Sequence, residues 1–440
     1  MVVQCIGRLT SQGYEAYLVG GSVRDLLLGE SPKDFDLCTD AIPSEIETVF
    51  ASVPHKTYGR QHGTVGVLLG KTWVEITTYR KDGVYFDHRR PNEVVFSKSL
   101  IEDLCRRDFT INAMAMDEHG NLIDHYGGAD DLTNKVLRCV GNPAQRFEED
   151  ALRIMRAMRF ASRLGFSIEK HTSDAIHRYA YLLREIAVER IREELKGILS
   201  GANAVKILSD YDDVIGILIA EMEMARGFVQ FNPDQYEDVF RHSLRVLSFS
   251  ENDITLRVAA LLHDLGKLSG LTLNVDNIAI YEHHAESSAL MAADILNRLK
   301  FDKKTTREVI EIIALHESSF PERLPEMRRW VAKIGDKILL QGIRLKECDL
   351  FAQAGDQGRK LRNCVHARAL VMEIKNRKLP TLVTHLAING NDLLELGYRG
   401  PAIQKMLEKL LDYVIEEKIL NRSEDLRSMA LTLDTKVKTQ

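Results

Sequence analysis

The sequence predicts an α+β protein: an N-terminal α/β head on a small mixed sheet, followed by an all-α remainder. Three observations predict it. The first 140 residues alternate short β-rich runs with helical ones. After Gly141 the strand signal nearly vanishes, and Leu, Ile, Ala and Met recur at helical spacing to the end. No Gly/Ser-rich or Pro-rich linker interrupts the chain, so its helical modules are expected to pack directly on one another. A length of 440 residues suits two to four domains. The patterning divides it into a head at 1–140 and helical segments at 141–205, 206–375 and 376–440. With 45% hydrophobic and 28% charged residues, the composition is that of an ordinary globular protein, and no run approaches the roughly 20 apolar residues of a membrane helix. The N-terminus lacks the basic and apolar regions of a secretory signal. Six scattered cysteines without a C-x-x-C pair argue against a zinc ribbon or a disulfide framework. The expected setting is a reducing cytoplasm, with no membrane.

Within the head, candidate strands are Tyr17–Val19, Asp34–Cys38, Thr64–Leu69, Trp73–Tyr79, Leu122–Asp124 and Val136–Cys139, bounded by Gly, Asn or Asp. The first runs into Gly20-Gly21-Ser22-Val23-Arg24-Asp25. Glycines between a strand and a helix let backbone N–H groups approach an anion, and Arg24 in the first turn can grip a phosphate. Asp34 and Asp36, two apart on a strand, share one face. Paired carboxylates repel unless a cation lies between them, and all-oxygen ligands suit Mg²⁺ with substrate phosphates. Two such ions activate a ribose 3′-OH and stabilise departing pyrophosphate. Glu75, inside the strand Trp73–Tyr79, can orient that site from a neighbouring strand.

The run GGSVRDLLLGESPKDFDLCTD closely resembles the signature of the class II tRNA nucleotidyltransferase and bacterial poly(A) polymerase family. The resemblance continues through Arg60-Gln61-His62-Gly63-Thr64-Val65, Arg106-Arg107-Asp108-Phe109-Thr110-Ile111-Asn112-Ala113 and Glu149-Asp150-Ala151-Leu152-Arg153, across at least the first 200 residues. It implies a nucleotidyltransferase head in which Asp34 and Asp36 hold the catalytic metals. It also implies that Arg107 and Asp108 contact the nucleotide's sugar and phosphates or hold the head against the next segment. The segment Asp82–Pro91 corresponds, in the resemblance, to the mobile loop needed for a terminal A. It does not separate an enzyme that adds the whole CCA from one that adds A alone.

At the start of the second segment, Glu148–Arg156 is expected to open a helix, with acids in its first turn and Glu149, Asp150 and Arg153 on one face. An ordinary helix ion pair is the plain reading of this cluster. With the head motifs present, base recognition explains more. Cytosine and adenine both offer an amino donor beside a ring-nitrogen acceptor, matching Asp150 as acceptor and Arg153 as donor, with Glu149 orienting Arg153. Uracil and guanine present the reverse. Two unpaired groups at about 1–3 kcal/mol each reject UTP and GTP by roughly 10²- to 10⁴-fold. Arg156 is placed with the nucleotide-binding set; it, Arg159 and Arg163 continue one face and either hold the RNA end or pair internally.

Further along, His242, His263-Asp264 in AALLHDLGK, and Asp349 match the H…HD…D pattern of the HD phosphohydrolase superfamily, which marks an HD-type helical domain at about 236–350. Imidazole with carboxylate suits Mn²⁺, Fe²⁺ or Ni²⁺, and His283, His284 and His316 are candidates for a second metal position. Buried structural histidines are the alternative. In the last segment, Gly397-Tyr398-Arg399-Gly400-Pro401 suits a helical turn whose amides can touch a phosphate, or a plain hairpin; the resemblance places the tRNA elbow near this end. Charge is uneven: 297–380 carries 19 Lys+Arg against 11 Asp+Glu, a net of +8, and 135–200 a net of +4, within a chain total of −5. A basic middle on an acidic chain suits a polyanion held in one place, or solvated helix faces.

The expected function is therefore template-independent addition of CCA to the 3′ end of tRNA from CTP and ATP, with Mg²⁺ in the head and HD hydrolysis of RNA ends as an additional activity. A-only addition is the nearest rival. Poly(A) polymerase is disfavoured by the tRNA-type form of 60–64 and the lack of a long basic C-terminal extension. A decayed head with HD activity alone, or a non-catalytic RNA binder, is disfavoured by the intact Asp34 and Asp36. A homodimer is compatible with the sequence.

Overall fold

Alternation decides the head. Along Thr72–Thr78, Val74, Ile76 and Thr78 are buried while Trp73 and Glu75 are exposed, the period-two pattern of a strand with one face on a core. The structure, a computed structural model, describes residues 2–57, 63–82, 94–231, 237–270, 272–273 and 279–438. Arg60, Gln61 and His62, and Gly83–Pro91 of the segment tied to the terminal A, lie outside them. The chain divides into two units, Met1–Glu223 and Met224–Gln440.

The first unit opens with α1 (Val2–Thr10), β1 (Ala16–Val19), α2 (Gly21–Leu27), β2 (Phe35–Thr39), α3 (Pro43–Val49), β3 (His55–Thr57), β4 (Thr64–Leu69) and β5 (Thr72–Thr78). A hairpin of β6 (Arg80–Asp82) and β7 (Val94–Phe96) precedes α4 (Leu100–Cys105), β8 (Met114–Met116), β9 (Leu122–Asp124) and α5 (Gly128–Thr133). Seven of these strands form one mixed sheet in the order β3-β4-β5-β2-β1-β8-β9, in which β2 and β5 are the parallel pair. The expected mixed sheet is therefore present. Its β8 was not expected, because Met114-Ala115-Met116 has little intrinsic strand preference; burial of Met114 and Ala115 and pairing of Leu18 with Met116 decide it instead. The strand expected at Val136–Cys139 shrinks to β10 (Val136–Leu137), which pairs outside this sheet with β11 (Ser167–Ile168).

Helices complete the unit: α6 (Pro143–Glu149), α7 (Leu152–Leu164), α8 (Lys170–Tyr179), α9 (Val188–Leu199), α10 (Ala204–Asp210) and α11 (Asp212–Leu218), with α12 (Ala220–Ala225) at its end. One expectation fails here. The acids do not open a single helix at Glu148; α6 ends at Glu149, and Asp150 adopts extended dihedrals (φ −140°, ψ 99°). The cause is local competition: the Asp150 Oδ1 accepts the Leu152 N–H at 3.2 Å, so its side chain caps the next helix rather than riding inside the first.

The second unit is helical apart from the two-residue strands β12 (Thr272–Leu273) and β13 (Ala279–Ile280). Its helices are α13 (Val239–Ser248), α14 (Ile254–Leu262), α15 (His284–Arg298), α16 (Lys303–Leu315), α17 (Leu324–Ile334), α18 (Asp336–Ala352), α19 (Gly358–Asn376), α20 (Gly390–Glu395), α21 (Pro401–Ile415) and α22 (Ser423–Lys438). Pro401 opens α21 as expected, and Leu393, Leu407, Leu410, Val414 and Leu426 form a separate core for α20–α22. Arg328 of α17 is only 2% exposed, and its guanidinium donates to the carbonyls of Pro380, Val414 and Ile415 at 2.6–3.1 Å. A cation thereby covers the carbonyl end of α21, where the helix dipole favours it.

Candidate active site and metal centre

The turn after β1 sets the head site. Gly20 takes φ 71°, and a Cβ there would lie 3.0 Å from the Arg107 guanidinium and 3.8 Å from the Asp36 carboxylate, so glycine is required by both conformation and close approach. Ser22 is buried, and its hydroxyl donates to the Asp34 carbonyl (2.8 Å) and accepts the Asp36 N–H (3.3 Å). It fixes the loop that presents both aspartates. Asp34 stands immediately before β2 and Asp36 within it; both are exposed. Across the parallel pair, Asp36 lies in register with Glu75, which puts the third carboxylate on the adjacent strand and the same face, as the alternation of Thr72–Thr78 requires.

These carboxylates disturb one another. Desolvation and the Asp34 charge raise the Asp36 carboxyl above its ordinary range, against the opposing pull of Arg107. Desolvation, Asp36 and Asp34 likewise raise Glu75. An all-oxygen set with unrelieved mutual repulsion fits a hard divalent cation that completes its shell with phosphate oxygens. Asp34, Asp36, Ser22, Arg24, Lys33 and Arg163 line one cleft of 410 Å³ between α2, β2 and α7. Its walls are cationic where its floor is acidic. Arg24 is held by Asp25 (2.6 Å) and Asn112 (2.8 Å), while Arg163 is exposed, with no ion pair among the described residues.

Behind the cleft, Asp103 is fully buried and anchors both Arg106 (2.8 Å) and Arg107 (3.1 Å). Sequence reasoning missed it; a carboxylate one turn before paired arginines was the available signal. Asp108 receives Arg156 of α7 at 2.5 and 2.8 Å and Asn112 at 3.1 Å. The ion pair ties the segment that follows α4 to α7. Glu149 grips Arg153 at 2.8 Å across the α6–α7 break, and Arg153 also donates to the carbonyls of Arg106 (2.9 Å) and Arg146 (3.2 Å). Asp150 meets Arg190 at 3.2 Å. Arg159 pairs internally with Glu194 at 2.5 Å. Phe160, another residue the sequence did not mark, lies under Arg24, Arg156 and Arg159 at 4.3–5.5 Å and meets Phe109 edge-on. One aromatic ring thus meets three cations.

In the second unit, α13, α14, the start of α15, the end of α16 and α18 bring together His242, His263-Asp264, His284, His316 and Asp349. Two groups of three share Asp264: His242 and His263 face its Oδ2 (both 3.4 Å), and His284 and His316 face its Oδ1 (3.5 and 3.6 Å). The Nδ1–H groups of His263, His284 and His316 donate to the carbonyls of Ala260, Tyr281 and Ile313 at 2.9, 2.9 and 2.7 Å. That leaves each Nε2 as a lone pair turned inward. The His263 Nε2 is buried with no hydrogen bond, and those of His284 and His316 face each other at 3.2 Å. Converging lone pairs with no proton between them fit a transition metal. Burial lowers the His284 pKa, keeping the neutral form that ligates. Asp349 accepts from His242 at 2.9 Å, and Lys267 contacts Asp264 at 2.6 Å. His283 is a correction: it sits at φ 56° ahead of α15 with an exposed side chain 3.8 Å from Glu286, outside both groups.

Comparison with known proteins follows the same division. Residues 16–138 match the family model described as Poly A polymerase head domain, 165–213 the model for a probable RNA and SrmB-binding site of polymerase A, and 239–353 the HD domain. The chain is 34% identical over 430 residues to a CCA-adding enzyme of Anoxybacillus flavithermus, covering 97% of this chain and 95% of that one. To a CCA-adding enzyme of Enterococcus faecalis it is 51% identical over 198 residues, 45% of this chain and 48% of the relative. A solved CCA-adding enzyme of Bacillus stearothermophilus in complex with CTP superposes with a TM-score of 0.69 at 27% identity, covering 99% of this chain and 98% of that one. No helix among the described residues is long and apolar enough to cross a membrane.

Proposed function

The chain belongs to the CCA-adding enzyme family, and from that premise we propose that the cleft at Asp34, Asp36 and Glu75 adds C, C and A to the 3′ end of tRNA from CTP and ATP. The observation that carries the reading is the placement of Asp34 and Asp36 in a cleft also lined by Arg24, Lys33 and Arg163, with Glu75 in register with Asp36 on the adjacent strand. In the reaction the tRNA 3′-oxygen bonds to the α-phosphorus as the bond to the β-phosphate breaks, releasing pyrophosphate. Asp34 and Asp36 would hold Mg²⁺, which when bound would supply activation of the attacking hydroxyl and charge neutralisation on the leaving group. Glu75 steadies the two aspartates from β5. Gly20 and Gly21 let the chain approach the triphosphate, Arg24 and Arg107 lend positive charge, and Ser22 acts through the loop it pins. Asp150 accepts from the exocyclic amino group of C or A, and Arg153, held by Glu149, donates to the ring nitrogen. Asp108 and Arg156 hold α7 against the segment that follows α4. Residues 1–140 then act as the catalytic head, 141–205 as the base-reading neck, 206–375 as the body and 376–440 as a tRNA-binding tail.

The test uses two tRNA transcripts, one ending at the discriminator base and one ending in CC, each with Mg²⁺ and CTP, ATP, both, UTP or GTP. The discriminator-ended transcript should gain CCA and stop, and Asp34→Ala should abolish addition. Extension of the CC-ended transcript alone, by one A, would replace the reading with A-only addition.

A second reading concerns the HD centre, and the orphaned His263 Nε2 favours it. His242, His263, Asp264, His284 and His316 would hold Mn²⁺, Fe²⁺ or Ni²⁺, and the centre would then hydrolyse terminal or 2′,3′-cyclic phosphates on RNA ends: a water oxygen would bond to phosphorus as one ester P–O bond breaks, the departing oxygen taking a proton. Absence of such activity in the metal-replete protein, or its survival in His263→Ala, overturns this reading.

A further inference from the structure

The peptide that leaves the HD centre becomes the wall of a second cavity. After His316, Glu317 and Ser318 line a 290 Å³ hollow that opens onto His284. Ser319 lines its neighbour, a cleft of 650 Å³ whose charged side chains are Lys346, Arg359, Lys360, Arg362 and, at its edge, Glu322, with His366 beside them. The wall is fixed from both sides. Lys346 of α18 donates to the Ser318 carbonyl at 2.7 Å. Asn363 of α19 exchanges hydrogen bonds with the Phe320 backbone at 3.0 and 3.2 Å, and His366 donates to the Glu322 carbonyl at 2.8 Å. Lys346 also stands three residues before the Asp349 of the HD set, on the same face of α18 and about one turn, or ~5 Å of rise, away.

Three of the cleft's cations have no ion-pair partner among the described residues, while Glu317 and Asp349 act on Lys346. Arg359, Lys360 and Arg362 are exposed, and none makes an ion pair among the described residues. Four cations and one carboxylate line the cleft, in a volume within the roughly 300–1,000 Å³ of ligand sites. Guanidinium forks at this spacing suit successive phosphate groups of a chain rather than one compact anion.

We infer that the cleft lined by Lys346, Arg359, Lys360 and Arg362 binds the phosphodiester backbone of a single RNA strand and presents its end to the HD centre. The second half of that statement rests on the HD reading; the first does not. The cleft gives the HD centre its preference for RNA ends over small phosphate esters.

The test compares the full-length protein with the triple variant Arg359→Glu/Lys360→Glu/Arg362→Glu and with Arg359→Lys/Arg362→Lys, after matched thermal melts confirm folding. Binding of a fluorescent single-stranded oligoribonucleotide is read by anisotropy in EDTA, which stops hydrolysis. Hydrolysis is read separately, with Ni²⁺, on the same strand ending in a 2′,3′-cyclic phosphate and on bis(p-nitrophenyl) phosphate. The expected result is at least ~10-fold weaker binding in the triple variant and a salt slope shallower by about 2, for three lost contacts at ~0.7 each. KM for the strand should rise in step, kcat/KM for the small ester should hold, and the lysine variant, which keeps the charge and loses the forks, should bind with an affinity between those of the parent and the triple variant. Unchanged binding and KM overturn the inference, as does polyglutamate competing as strongly as RNA, which would mark a general acidic-partner surface. Weaker binding with no hydrolysis of either substrate by the unsubstituted protein supports the RNA cleft and overturns only its link to the HD centre.

Discussion

Asp36 is held in a form that folding alone disfavours. Its carboxyl is raised by desolvation and by Asp34, against Arg107. A folded pKa above the unfolded one means that its share of stability is full at low pH and is lost as pH rises through the folded value. At neutral pH without metal, the ionised group therefore weakens the head. Asp36→Asn should raise the melting temperature of the metal-free protein at pH 7 while abolishing nucleotide addition, and the gain should vanish below about pH 4, where the ordinary carboxyl is protonated. Equal melts at pH 7 would remove the electrostatic account of the site. Asp108 shows the opposite sign. Burial would raise it, but Arg156 and the Asn112 hydrogen bond outweigh that and hold it down at about 2. Its contribution is present above the unfolded value and is lost as pH falls from about 4 through 2, an amount of about 2 kcal/mol. Urea melts across pH 2–6 should show Asp108→Asn less stable by about that much near neutrality and converging with the parent at the acid end; parallel curves across the series would contradict the ion pair.

Among elements, the break between α6 and α7 gives the base reader its geometry. Because the Asp150 Oδ1 caps α7 through the Leu152 N–H, its Oδ2 is left to Arg190 and, in the proposed reaction, to the base. Asp150→Asn keeps a cap-competent oxygen yet replaces a pure acceptor with an amide. It should leave the thermal melt within about 1 kcal/mol, lower kcat/KM for CTP and ATP by roughly 10²-fold and narrow discrimination against UTP; full discrimination in the variant would place base reading elsewhere. How far such features were legible depends on their range. The Asp36–Glu75 relation could be read because a strand's period of two fixes the face, and Glu149–Arg153 because the two are close in sequence, although the pair forms across the break and not along one helix. The break itself was hidden, since an Asx cap and a helix interior draw on the same residue type. Phe160 was invisible, because α2 and α7 must pack before Arg24 joins Arg156 and Arg159 on one ring. His283 and His284 are adjacent in sequence, and only the left-handed turn at His283 turns one outward and the other in.

At the scale of the whole molecule, two candidate ligand sets of different chemistry lie in two compact units. All-oxygen ligands occupy the first, imidazoles around one carboxylate the second, and the two should take up different ions. The excess of positive charge read at 297–380 belongs to the imidazole unit, where Lys346, Arg359, Lys360 and Arg362 gather it; charge counts located the region, and the fold alone gave it a cleft. A ligand that binds only the folded form stabilises it by about 2.7 kcal/mol at 100 times its Kd, which slows exchange of the amides that open with its site by roughly 100-fold. Hydrogen exchange can therefore assign each ion to its unit. Mg²⁺ with CTP should protect β2, β5 and the Gly20–Arg24 turn. Ni²⁺ alone should protect α13, α14, the end of α16 and α18, and His263→Ala should cancel that second protection while leaving the first. Protection by Ni²⁺ confined to the Asp34–Asp36 strand would deny the imidazole cluster its metal, and with it the hydrolytic reading.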